Sequence, residues 1–414
     1  MRAVVIGAGA SGLMCAALLA RGGADVTVIE RNSKAGKKLF ITGKGRCNLT
    51  NDCDVSEWLA STVNGAKFLY SAAHAFPPSA VKDYFESIGL RLKTERGKRV
   101  FPCSDKSSDV IKALVRDCER GGVKFLFDKR VTAIETDGGR AVGVRAGQEL
   151  YFADAVVVAT GGVTYPSTGS TGDGCAFARS LDVKVVDPKP SLVPLRTKGT
   201  GSLSGLALKN VRFDVEIGGK VVASEFGEMQ FERGAVTGPI VLTCSALTCK
   251  YRDKNGLFPG GSKGIVDFKP ALDEATLDAR LLREFSSAPT AKLKVVAQKL
   301  LPSAAVSAVL ECARADGEKR ASDVDKATRR RIVAALKNFD FSVVGAEGAE
   351  QAIVTAGGVA TGELAPKTMQ CKKVGGLYFV GEVIDVDSLT GGFNLQNAWA
   401  TAASAARAIC EKRG

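Results

Sequence analysis

The chain has 414 residues, 45% of them hydrophobic, and a formal net charge of +13. That length exceeds a single simple core and predicts two or three domains, while no apolar run approaches the roughly 20 residues a membrane helix needs. Eleven cysteines, irregularly spaced and without a Cys-x-x-Cys pair, match neither a disulfide framework nor a zinc site, so no metal is expected and a reducing cytoplasm fits best.

A strand is expected almost at once after Met1, which leaves no room for a secretory signal. Ala3 to Ile6 reads as that buried strand, and Gly7, Gly9 and Gly12 supply GxGxxG where it turns into a helix. Leu13, Ala16, Ala17 and Ala20 recur at helical spacing, Gly22-Gly23 ends the helix, and Val26, Val28 and Ile29 form a second strand closed by Glu30. In such a βαβ unit Gly7 permits the turn, Gly9 lets backbone approach a pyrophosphate, and Gly12 lets helix and strand pack closely. Ala10 and Ser11 carry N–H groups at the helix start, and Glu30 stands where a carboxylate accepts from ribose hydroxyls. An ordinary glycine turn is the bland alternative; strand, glycines, helix, second strand and acid in phase favour a dinucleotide.

Arg31 to Asn51 is a glycine- and lysine-rich loop without periodicity. Its place after Glu30 puts Arg31, Lys37, Lys38, Arg46 and the backbone around Gly43, Gly45 and Asn48 along the path of a bound cofactor. The stretch Gly43-Lys-Gly-Arg-Cys-Asn48 with Thr50-Asn51 resembles the signature of the BaiN-like (YhiN-type) flavoprotein family, whose members are labelled NAD(P)/FAD-dependent or aminoacetone-oxidase-type oxidoreductases.

Ser56 to Arg120 reads as mostly helical, interrupted by Gly97 to Pro102 and Ser104 to Lys106, a stretch that also resembles the family. His74 is the single histidine, and a lone histidine is more often structural than catalytic. Strands follow at Val123 to Phe127, Val131 to Thr136 (Val131 being kept as a cofactor contact) and Ala141 to Arg145. Ala155 to Val158 then runs into Ala159, Thr160 and Gly161, a turn similar to the one that two-dinucleotide FAD folds place against the adenine half of the cofactor. Tyr165 to Gly174 again resembles the family, whereas Leu181-Asp182 departs from its frequent Gly-His.

Pro188, Pro190 and Pro194 mark a boundary. Val211, Phe213, Val215 and Ile217 alternate, Gly218-Gly219 offers a turn, and Lys220 to Ser224 returns as a hairpin. Glu232-Arg233 stands where the family often has Thr-His. Cys244 and Cys249 have a redox-pair spacing but lie far from the cofactor loop, which favours buried thiols. From Asp273 to Asn338 three apolar helical faces follow, with Thr290 and Ser322 as expected N-caps. No second strand-GxGxxG-helix unit occurs there, so a second resident dinucleotide is not indicated.

The chain then returns to the first domain. Gly375 to Asp385 is a buried strand ending in Gly381-Glu382, with Asp385 just beyond; the resemblance implies that Glu382 accepts from the ribityl chain. Gly391 and Gly392 open a last helix through Phe393, Asn394 and Gln396, with its N-terminus toward the flavin pyrimidine edge.

The expected fold is α/β: a discontinuous two-dinucleotide-type FAD-binding Rossmann domain (1–192 and 346–414), an inserted β-barrel-like domain (193–270) and a small helical subdomain (271–345). FAD is expected as resident cofactor, with NAD(P)H as transient co-substrate, and hydride passes through the flavin to an electron-poor C=C acceptor. Cys47, which neighbouring cations would bias toward ionisation, and Tyr165 are the candidate proton donors. Two alternatives stay open: a flavoenzyme forming dihydrouridine in ribosomal RNA, motivated by the basic stretches, and an amine-type oxidase that makes hydrogen peroxide.

Overall fold

The computed structural model describes residues 1–412. It divides into two compact units, one made of Met1–Pro190 and the chain from Ala349 on, the other of Ser191–Gly348.

In the first unit five strands stand in the order Leu377–Phe379, Ala155–Val158, Arg2–Ile6, Asp25–Ile29, Lys124–Leu126, with every neighbouring pair parallel. Ala3 to Ile6 and Ala155 to Val158 are buried throughout, because a parallel sheet is covered on both faces and selects continuous apolar runs. The glycine helix, Ala10–Arg21, makes the crossover from the central strand to its neighbour. Its alanine-rich face lets the C-terminal helix, Phe393–Glu411, approach closely: a Cβ on Gly22 would lie 2.2 Å from Cys410 Sγ. Indole N–H groups fasten the last helix on the other side, Trp399 to the Leu49 carbonyl and Trp58 to Asn397 Oδ1, each at 2.9 Å.

The region expected to be mostly helical contains the helices Val55–Ala60, Ala66–Ala75, Pro78–Ser87 and Ser107–Arg120. Between the last two, Leu92–Glu95 and Arg99–Pro102 form a hairpin that adds Thr50–Asn51 as a third strand. This pairing fixes the glycine- and lysine-rich loop at its far end.

In the second unit six strands close into a barrel, in the order Leu195–Lys198, Ala235–Thr237, Lys220–Glu232, Ala207–Ile217, Lys263–Asp267, Phe339–Ala346. Gly218 and Gly219 both have positive φ, +59° and +75°, the backbone a two-residue hairpin of this twist requires. Two expectations are corrected here. Residues 339–345, assigned to the helical subdomain, belong to the closing strand Phe339–Ala346: Phe339, Phe341 and Val343 alternate inward with Asp340 and Ser342 outward, a period of two. The helices Glu274–Ser287 and Lys326–Lys337 are capped by Asp273 and Asp325, each accepting from the N–H three residues on at 2.7 Å; Asp325 thus takes the place expected for Ser322, and the helix Leu293–Ala297 starts after Lys292 with no side-chain cap rather than at Thr290. Lys337 ties the last of these helices to the barrel, pairing with the Asp267 carboxylate at 2.8 Å and donating to the carbonyls of Lys269 and Leu272.

Candidate functional site

At the end of the central strand Gly7 turns with φ +103°, and its N–H donates to the Ile29 carbonyl at 2.8 Å. A Cβ on Gly7 would lie 2.7 Å from the Ala159 carbonyl oxygen, and one on Gly12 would lie 1.9 Å from the Gly7 carbonyl oxygen. Strand, helix and the Ala159 turn therefore meet backbone to backbone. A Cβ on Gly9 would meet nothing within 4 Å, and the same is true of Gly45. Gly9 is the N-cap of the glycine helix, which has no side-chain cap, so the first-turn N–H groups at Ala10, Ser11 and Gly12 and the positive end of the helix dipole are available to an anion. Gly161, φ +72°, continues the turn beyond Ala159.

Glu30 is 7% exposed and fixed at both oxygens: Oε2 accepts from the Ala8 N–H at 2.8 Å, and Oε1 from the N–H and side chain of Asn32 at 2.8 and 2.7 Å. Asn32, which no sequence motif marks, also accepts from Lys37 Nζ at 2.9 Å. Three other cations of the loop, Arg31, Lys38 and Arg46, pair with the chain's own acids. Arg31 donates to Thr171 and Asp173, and Arg46 reaches Glu95 and Asp105 while lying over the Phe101 ring, 4.2 Å from its centroid. Lys38 Nζ reaches Glu382 Oε2 at 2.7 Å and Thr164 Oγ1 at 2.7 Å. Each was expected on phosphate or flavin; in the structure their side-chain partners organise the loop, because cations so close to carboxylates pair with them.

Glu382 is likewise held by the chain's own donors. Oε1 accepts from Lys38 at 3.0 Å, Thr164 at 3.1 Å and the Thr355 N–H at 2.8 Å, so internal donors already saturate that oxygen. A Cβ on Gly381 would lie 2.4 Å from Ser11 Oγ, which puts the Gly381-Glu382 pair directly against the start of the glycine helix. Asp385 accepts from Asn64 at 2.7 Å, and burial raises its carboxyl above the ordinary range while Asn64 and the Gly357 backbone pull it down.

Gly391 and Gly392, φ +128° and +98°, open the C-terminal helix, which also has no side-chain cap. Phe393 is buried. Two amides expected at the cofactor are taken up by the chain. Asn394 bonds Ser388 N–H and the Ser388 and Leu389 carbonyls; Gln396, fully buried, accepts from Thr50 Oγ1 at 2.6 Å and donates to the Phe76 carbonyl. They pin the segments that frame the helix start. Val131 is a buried strand residue paired with Ala146.

The Cys47 thiol is fully buried, and burial pushes it well up. The expected ionisation by nearby cations is overturned: desolvation dominates, and Arg46 is turned to its acids. Tyr165 sits in the left-handed region, φ +53°, with its N–H on the Ala349 carbonyl. His74 stacks on Tyr70 at 4.3 Å and is exposed. None of the eleven cysteines is in a disulfide, and no group of three or more His, Cys, Asp or Glu that could hold a metal occurs among the described residues.

Three buried polar atoms at this site have no hydrogen-bond partner: Asn48 Oδ1, Asn51 Oδ1 and Thr160 Oγ1. Buried polar atoms are normally satisfied, and these lie on two segments that frame the glycine turn. Together with two uncapped helix starts and an open glycine at one of them, they fit a long, polyfunctional nucleotide with an anionic centre. Fold and site thus define an FAD-dependent oxidoreductase.

A family model described as HI0933-like protein Rossmann domain matches residues 1–408, and the chain belongs to this family. The 3-dehydro-bile acid delta(4,6)-reductase of Clostridium scindens is 32% identical over 414 residues, 99% of this chain and 98% of that protein. A ribosomal RNA dihydrouridine synthase of Haemophilus influenzae is 30% identical over 417 residues, 98% of each chain. In fold the chain is similar to 3-ketosteroid delta1-dehydrogenase from Sterolibacterium denitrificans, with a TM-score of 0.53 and 13% identity over 99% of both chains.

Proposed function

We propose that this enzyme reduces an electron-poor C=C bond conjugated to a carbonyl, drawing its reducing equivalents from NAD(P)H. The observation that carries the reading is near full-length similarity to two proteins whose names share that chemistry. A 3-oxo steroid with delta-4,6 unsaturation and the uracil ring of uridine both present a C=C polarised by a carbonyl. FAD, when bound, supplies the hydride relay between nicotinamide and acceptor.

The chain's own residues serve binding and orientation. The N-terminus of the glycine helix takes the pyrophosphate and Glu30 the adenosine ribose. Lys38, Thr164 and Thr355 hold Glu382 beside that helix, and the start of the C-terminal helix favours negative charge on the pyrimidine edge. Tyr165 is the proposed proton donor on its motif position; the buried, upshifted thiol of Cys47 supports a packing role. A single strand-glycine-helix unit supports a visiting, not resident, nicotinamide. Eleven cysteines without a disulfide favour the cytoplasm.

A second reading, an acceptor base carried on RNA, is favoured by the net charge of +13. Anaerobic stopped-flow tests both. The purified yellow protein is mixed with NADH or NADPH and then with a dienone steroid, ribosomal RNA or air. Bleaching by a nicotinamide and reoxidation faster by an organic acceptor than by air is expected, and the faster acceptor names the substrate class. Absence of bleaching by either nicotinamide, with peroxide formed from an amine, would overturn the reading in favour of an oxidase.

A further inference from the structure

Asn51 is 4% exposed, and the orientation of its amide is determined by the chain. Its Nδ2 donates to two carbonyls, Gly97 at 3.2 Å and Gly391 at 3.1 Å. A flipped amide would set its oxygen against both carbonyl oxygens, so the oxygen is the atom turned away from them. That oxygen is buried and accepts no hydrogen bond. An acceptor in this state is costly unless a ligand completes it.

The place of this acceptor narrows the ligand group. A Cβ on Gly392 would lie 2.5 Å from the Thr50 carbonyl oxygen, and one on Gly391 would lie 3.6 Å from Asn51 Nδ2. The strand Thr50–Asn51 therefore packs on the two glycines that open the C-terminal helix, whose first-turn N–H groups have no side-chain cap. The site offers one fixed acceptor beside a cluster of donors. A ligand edge that satisfies both carries a donor next to an acceptor. In FAD the imide of the isoalloxazine pyrimidine ring presents an N–H flanked by carbonyl oxygens and so meets both at once; the pyrophosphate has no donor, and a ribityl hydroxyl is the alternative that the test below distinguishes. The adenosine end is already accounted for at Glu30 and Gly9.

We infer that Asn51 is a specificity-determining residue for the cofactor, its side-chain oxygen accepting a hydrogen bond from the imide N–H of the flavin while the adjoining helix start receives the neighbouring carbonyl. The inference rests on FAD as the resident cofactor and is independent of the acceptor substrate. The same contact keeps that imide protonated in the bound oxidised flavin.

The test uses the whole protein stripped of cofactor and titrated with FAD and with 3-methyl-FAD, in which a methyl group replaces the imide hydrogen. The wild-type protein should bind the methylated cofactor about 10- to 100-fold more weakly, and Asn51→Ala should bring the two affinities to within about threefold. Titrating the absorbance of the bound oxidised flavin gives a second readout: the imide of the wild-type complex should ionise at higher pH than that of free FAD, and Asn51→Ala should move it back. Urea denaturation of the stripped wild-type and Asn51→Ala proteins, with the affinity of each for FAD itself, separates loss of the contact from loss of the fold. Equal affinity of the wild-type protein for FAD and 3-methyl-FAD would overturn the inference and assign the Asn51 oxygen to a ribityl hydroxyl. That comparison needs no variant. FAD binding with no enone or RNA turnover would leave the inference intact while removing the proposed reaction.

Discussion

Gly9 and Gly12 belong to one motif but are expected to fail in different ways. A Cβ on Gly12 would lie 1.9 Å from the Gly7 carbonyl oxygen, far inside the 3.4 Å at which ordinary contact begins, and 3.3 Å from Ala159 Cβ, just inside it. The atom in the way is backbone, and Gly7 is held by its bond to Ile29, so Gly12→Ala must push the helix off the sheet. Overpacking of this kind costs about 1–3 kcal/mol or more, and it acts on the protein with or without cofactor. Gly9 has φ −82° and ψ −168°, open to any residue, and its Cβ would meet no protein atom within 4 Å. Gly9→Ala should therefore change the stability of the stripped protein by no more than about 1 kcal/mol, while a methyl group in the path of the pyrophosphate weakens FAD by at least about tenfold. Urea denaturation of the stripped proteins and a flavin-fluorescence titration read the two effects separately. A stripped Gly12→Ala protein as stable as wild type, or a Gly9→Ala protein with unchanged FAD affinity, would refute the division of roles.

Lys38→Met removes the charged partner of Glu382, which keeps only the Thr164 hydroxyl and Thr355 N–H; with each side chain 23% exposed, a loss of about 1–3 kcal/mol in denaturant unfolding is expected, and Lys38→Arg should recover part of it. The Glu318 carboxyl is held down to about 2 by Lys292 and Lys294. Its stabilisation is complete above the ordinary glutamate value of 4.5 and is lost as pH falls through about 2, and because the group is exposed, carboxyl NMR titration at high salt should move it back upward. Asp385 shows the opposite sign: burial raises its carboxyl, so its contribution to stability declines as pH rises from the unfolded value toward the raised one. Asp385→Asn should accordingly gain on wild type in melting temperature as pH rises through that range, and an advantage that shrinks with pH would contradict the burial argument.

Much of the fold could be read from short stretches of sequence. The opening strand, glycine turn and helix, the Gly218-Gly219 hairpin and the C-terminal helix each follow from residues two to four apart, because side-chain direction repeats on that scale. Residues 339–345 carried the same period-two signal, but following the helical run to Asn338 they were placed within the helical subdomain. The strand became evident only where it pairs with Leu195–Lys198 and Lys263–Asp267 to close the barrel. Asp273 and Asp325 were equally legible as N-caps, being acceptors three residues before the N–H groups they bind.

The candidate site divides along the same line. Residue types and spacing announced a dinucleotide, an acid at the second strand and a helix start for the flavin, since those features are local. What each polar side chain actually bonds was decided by the tertiary structure: Lys38 and Glu382 are 344 positions apart, Thr50 and Gln396 are 346 apart, and Asn51 and Gly391 are 340 apart. A hydrogen bond ends within a few ångströms in space whatever the separation along the chain. Sequence could name Cys47 and the cations flanking it; only packing determined that the thiol is dry, that Arg46 turns to Glu95 and Asp105, and that one oxygen of Asn51 is left to accept from something outside the chain.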